Sequence, residues 1–131
     1  MEVLDNGVII GNYNKEKWTT VVPGIEQLEV NGKNLTLSFM RILPEKAGMY
    51  APTPFGHRHD EIEQLTIMLE GHATVIMDGK RTSVRKGSHW YAPKGIDHVL
   101  DLRESPEGVT ILQIFPAGSR PDVPKEGAVS K

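Results

Sequence analysis

The chain has 131 residues, a formal net charge of −2 and a pI near 6.2, which is enough to bury one core and too little for a second large domain. Its mild acidity and the lack of a basic run exclude a surface built for nucleic acid or anionic membrane, and its apolar runs fall far short of a membrane span. Cysteine is absent, so disulfides, thiol nucleophiles and thiolate ligands are excluded and any metal is held by nitrogen and oxygen.

In chain order the pattern is one of short aliphatic or β-branched runs between turns, with 13 Gly and 9 Pro and no long helical period. Trp18 to Val22 is the first expected strand. Gln27 to Val30 and Leu35 to Ile42 flank Asn31-Gly32, a hairpin signal because both residues tolerate positive φ. Pro44 to Gly56, rich in Pro and Gly, reads as a loop entering a site. Ile62 to Leu69 is the longest apolar strand; Glu70-Gly71 turns it into Ala73 to Met77, and Asp78-Gly79 turns that into Arg81 to Val84. His89 to Ala92, Val99 to Leu102 and Val109 to Phe115 complete the set. The tail from Pro116 to Lys131 is expected to pack loosely. Many short strands in hairpin order predict an all-β, double-sheet jelly roll occupying residues 1–131 as one domain. No early basic-then-apolar segment marks a secretory signal, so a cytoplasmic protein is expected.

The chemistry of the sequence is concentrated in its histidines. Residues i and i+2 of an extended segment share a face, so His57 and His59 can bind one ion together. Neutral imidazole is the commonest metal ligand, and a His-rich, Cys-free set suits Zn, Cu, Fe, Ni or Mn. His98 follows a turn in which Pro93 fixes φ and Gly95 permits a tight bend, a device that aims a side chain inward from another strand.

The two blocks resemble the two signature motifs of the cupins. Gly87, Pro93, Gly95 and His98 match the second motif position by position, and His57, His59 and the closing Gly71 match the first. The resemblance covers roughly residues 35–115. It implies a double-stranded β-helix with a mononuclear metal site inside, one divalent transition metal ion (Zn, Ni, Mn or Fe), and frequent homodimers. The chain departs from the motifs at Ala51 and Leu102, which stand where glycine and asparagine are usual. The usual glutamate ligand falls at Gln64, beside Glu63. Register with Gly71 favours Gln64, whereas the shared parity of Glu63 with Leu65, Ile67 and Leu69 favours Glu63. The preferred ligand set is His57, His59, Gln64 and His98, similar to cupins with a glutamine ligand. An amide leaves the cation its full charge and makes it a stronger Lewis acid.

Three residues are put forward for catalysis. Tyr50 lies in the entry loop. His89 is open to three readings, as a fourth imidazole, a pocket base or a structural residue. Gln113 stands where similar uronate-opening cupins carry an acid. Met40, Phe55, Thr66, Trp90, Tyr91 and Phe115 are further pocket candidates, and Arg41 and Arg120 are candidates for holding a carboxylate. The resemblance implies a small-molecule enzyme in which a Lewis-acid metal supports isomerase, cyclase or lyase chemistry on a sugar-acid or polyketide-like substrate. An iron dioxygenase and a non-catalytic binding cupin are the alternatives.

Overall fold

The computed structural model describes residues 1–47 and 63–118. Two antiparallel sheets face each other. The larger has six strands in the order β3 (Thr19–Val22), β4 (Ile25–Asn31), β5 (Leu35–Ile42), β11 (Val109–Pro116), β6 (Gln64–Glu70) and β9 (His89–Ala92). The smaller has three, in the order β10 (His98–Asp101), β7 (His72–Met77) and β8 (Lys80–Arg85). The chain crosses repeatedly from one sheet to the other, and the last strand closes the large sheet by lying between β5 and β6.

Turn chemistry sets these registers. Met77 pairs with Lys80 across Asp78-Gly79, whose φ values of 50° and 83° give the doubly left-handed two-residue turn that matches the twist of a hairpin. Gly71, at φ 93°, carries the chain from β6 into β7; a Cβ there would sit 2.5 Å from the Gly108 carbonyl oxygen. The closing glycine of the first motif is therefore a packing requirement as well as a turn. Asn31-Gly32 opens a wider hairpin than expected, with Asn31 opposite Thr36 and the Gly32 N–H donating to the Leu35 carbonyl at 2.8 Å.

Three elements depart from expectation. Pro44–Ala47 is a single helical turn, α1, inside the segment read as loop, and it buries Ala47 completely. Glu2–Val3 (β1) and Ile9–Ile10 (β2) form a small separate ribbon that the sequence did not signal.

The core lies between the sheets. Ile25, Met40, Ile42, Met68, Val109 and Ile111 from the large sheet pack with Ala73, Val75, Val84 and Leu102. Leu102, where the motif usually has asparagine, is fully buried. The opposite face of the large sheet is also apolar and is partly covered by the N-terminal segment. There the Tyr13 and Phe39 rings stack with centroids 5.1 Å apart, and Trp18 donates its indole N–H to the Tyr13 carbonyl.

Candidate functional site

Along the inner face of the large sheet, successive transverse rows change from apolar to polar. Ile25, Ile42 and Val109 form the first row, and Gln27, Met40, Ile111 and Met68 the second. The third runs across five strands as Glu29, Ser38, Gln113, Thr66 and Trp90. Beyond it Asn31, Thr36 and Phe115 align, with Gln64 opposite Ala92 on the far side. Thr36, Ser38, Gln64, Thr66 and Gln113 are all buried.

This end of the sheet is knit by side-chain hydrogen bonds. Gln27 Nε2 donates to Ser38 Oγ at 2.9 Å, Thr36 donates to Asn31 Oδ1 at 3.1 Å, and Gln64 Nε2 lies 3.4 Å from Thr66 Oγ1. Glu29 accepts from Asn31 Nδ2 at 3.1 Å. Buried hydroxyl and amide groups stabilise a fold less than methyl groups of the same volume would. Their concentration makes one end of the interior polar.

Alternation within β6 places the two neighbouring candidates on opposite faces. Gln64, Thr66 and Met68 point inward and are buried, whereas Glu63 is exposed and accepts a 2.5 Å hydrogen bond from the Tyr91 hydroxyl. That bond to a carboxylate raises the Tyr91 pKa. The sequence argument from parity is thereby overturned: Leu65, Ile67 and Leu69 lie on the outer face.

His98 enters from the other sheet. The turn at Pro93 to Gly95, with Gly95 at φ 80°, leads into β10, and the Asp97 carbonyl is fixed by the Asp78 N–H at 2.8 Å. The imidazole is buried, and its Nδ1 lies 3.0 Å from the Ile96 carbonyl. An acceptor there places the proton of the neutral ring on Nδ1 and leaves the lone pair on Nε2, which is itself buried. Gln64 Oε1 is a buried carbonyl-type oxygen. A lone-pair nitrogen and a neutral oxygen from opposite sheets fit two positions of a divalent-metal ligand set. His57, His59, Tyr50, Phe55 and Arg120 lie outside the described residues. Among the described residues no three His, Cys, Asp or Glu side chains form a cluster.

The remaining candidates divide by face. Gln113, Met40, Thr66, Trp90 and Phe115 line the inner side. His89 does not join them. It pairs with Ile67 and is exposed on the outer face, because it is three residues, an odd number, from the inward Ala92. Tyr91 is on that outer face for the same reason. Arg41 is also outward, its guanidinium 3.8 Å above the Trp18 ring and 3.3 Å from Glu26, so its place is in the N-terminal packing. Sequence reading overlooked Glu29, Gln27 and Ser38. Their signal was the run of polar residues at every second position on both arms of one hairpin.

Two facing antiparallel sheets, with an inward imidazole from one and an inward amide from the other, make a jelly-roll barrel whose interior is polar at one end. The chain belongs to the cupin domain family, whose model matches residues 47–115. A search of curated proteins by sequence finds no match. Among solved structures, the chain is similar to KdgF from a Halomonas species, with 18% identity, a TM-score of 0.64, and coverage of 86% of this chain and 96% of that one. It is similar to a cupin-superfamily sugar phosphate isomerase from Silicibacter pomeroyi, with 18% identity, a TM-score of 0.60 and coverage of 73% and 61%. A predicted oxalate decarboxylase from Thermotoga maritima shares 13% identity at a TM-score of 0.61, covering 83% and 99%. At these identities the likeness establishes the fold.

Proposed function

We propose that the protein is a metal-dependent small-molecule enzyme of isomerase, cyclase or lyase type acting on an oxygenated substrate such as a sugar acid. The observation that carries this reading is the polar row Glu29–Ser38–Gln113–Thr66, set into an otherwise apolar inner face and flanked by inward Gln64 and His98. His57, His59, Gln64 and His98 would hold one divalent transition metal ion. Such an ion supplies Lewis acidity, polarising a carbonyl or hydroxyl and acidifying a neighbouring proton.

The protein's own groups account for the rest of the reaction. Ser38, Thr66 and Gln113 offer hydroxyl and amide groups that orient substrate hydroxyls. Glu29 is the ionisable side chain of the polar row. With strands about 4.8 Å apart, three spacings, roughly 14 Å, separate Glu29 on β4 from Gln64 on β6 along the same sheet. In this reading Glu29 takes a proton adjacent to a carbonyl and returns it to a neighbouring atom, an isomerisation with no net oxidation. It thereby fills the role for which Gln113 lacks an acidic proton. Tyr50 is retained as a substrate contact from the entry segment.

Similarity to KdgF and to a sugar phosphate isomerase supports a sugar-derived substrate. A homodimer formed through the outer face of the large sheet accounts for the exposure of Leu35, Leu65 and Tyr91, at 61%, 49% and 46%. No described helix is long and apolar enough to cross a membrane, and a cytoplasmic setting is part of the proposal.

The test is to load the protein with Zn, Ni or Mn and offer it an unsaturated uronate released by a pectin or alginate lyase, under nitrogen. Opening to the linear keto sugar faster than the spontaneous rate, slowed in Glu29→Gln, is the expected result. A requirement for iron and dioxygen uptake would assign the chain to the dioxygenases instead. Binding without turnover would make it a binding module.

A further inference from the structure

On the outer face of the small sheet, opposite to the inward side on which His98 lies, Asp101, Thr74 and Ser83 form a transverse row. Asp101 is buried, with 4% of its side chain exposed, and it gathers two half-exposed arginines. Its Oδ2 accepts from Arg81 Nη2 at 2.9 Å and from Arg103 Nη2 at 2.6 Å, while Oδ1 accepts from the Arg103 backbone N–H and Nε. The arginines, the row of hydroxyls and His72, Glu104 and Ser105 line a cleft of about 450 Å³. We propose that this cleft binds a small phosphate-type oxoanion between Arg81 and Arg103.

Each guanidinium carries five N–H donors in a rigid fork. Asp101 engages one fork edge of Arg103 and a single nitrogen of Arg81. The other guanidinium N–H groups have no partner among the described residues, and remain for a second acceptor. One buried carboxylate also neutralises only one of the two cations. The excess positive charge stands in a chain whose net charge is −2. Glu104 at the rim brings the formal charge of the cleft to zero, but it is exposed, so solvent weakens its field on Arg103. Two forks held side by side match the tetrahedral oxygens of a phosphate group. Thr74 and Ser83 add hydroxyl donors at the floor.

The probe is inorganic phosphate, followed by the arginine Nε–H resonances of the full chain at constant ionic strength set with chloride. A saturable shift at Arg81 and Arg103 is expected. The affinity should fall at least about tenfold in Arg81→Gln, fall also in Arg81→Lys, which keeps the charge and loses the fork, and rise in Glu104→Gln. The last variant touches only an exposed residue and so tests the proposal even where an arginine variant folds poorly. Shifts reproduced by chloride, an affinity indifferent to Arg81→Gln or Glu104→Gln, or acetate binding as tightly as phosphate would each overturn it.

Discussion

Replacing Gln64 by glutamate converts the proposed ligand set from neutral to anionic at a position where only 4% of the residue is exposed. Without metal, a carboxylate introduced beside Thr66 loses its hydration, and its pKa rises as the fold resists the charge. Burying one such ion costs several kcal/mol before protonation relieves it, so the metal-free variant should lose roughly 2–4 kcal/mol at pH 7. A cation present at one hundred times its dissociation constant returns about 2.7 kcal/mol. For a domain of this length each kcal/mol moves the melting midpoint by about 3–6 °C. Thermal unfolding of Gln64→Glu should therefore differ by about 10 °C between chelator-treated and metal-loaded samples. Glu63→Ala serves as the control. Glu63 is exposed and bonded only to the Tyr91 hydroxyl among the described residues, so the change should be within about 0.5 kcal/mol and leave metal affinity intact. Metal affinity lost to Glu63→Ala as fully as to Gln64→Ala, or a Gln64→Glu variant equally stable with and without metal, would refute the assignment of Gln64.

Other variants probe the surrounding structure. The Asp101 carboxyl is held well below the usual carboxylate range, chiefly by hydrogen bonds from Arg103. A depressed folded pKa gives stability that is complete above the unfolded value of about 3.9 and is lost as pH falls through the folded value. Asp101→Asn should cost about 2 kcal/mol at pH 7 in denaturant unfolding, with the difference from the native chain shrinking only below about pH 4. Gln113→Met keeps the volume of a buried side chain in the polar row but removes its hydrogen-bonding groups, so it should cost about 1–3 kcal/mol while abolishing turnover; the pair of unfolding and activity measurements separates a substrate-binding role from a structural one. Leu65→Arg, at 49% exposure on the outer face, should shift the chain to monomer in light scattering without altering metal content.

Much of the fold was legible because local chemistry dictated it. Asp78-Gly79 could hardly be anything but a tight hairpin, and the short runs on either side of it became β7 and β8. Gly71 and the Pro93–Gly95 turn likewise announced the strand ends that bracket the site. What the sequence hid was which face of each strand looks inward. In β6 the bulkier aliphatic set, Leu65, Ile67 and Leu69, points outward, while Gln64 and Thr66 are buried. The rule that apolar residues are inside is one-way, and here it fails because one end of the interior is polar. The three readings open for His89 could not be narrowed for the same reason, since its offset from Ala92 decides its face and only the pairing of β9 with β6 reveals it. The row from Glu29 to Trp90 joins five strands far apart in sequence, so no local pattern could display it. The bridging of Arg81 and Arg103 by Asp101 depends on the pairing of β10 with β7, again a matter of register.

X-ray absorption at the metal edge of the zinc-loaded protein reads the ligand set itself, because imidazole rings give a characteristic outer-shell scattering. Three imidazole nitrogens and one oxygen at about 2.0–2.1 Å are expected, falling to two imidazoles in His98→Ala. A spectrum with no imidazole contribution, or one unchanged by His98→Ala, would contradict that ligand set.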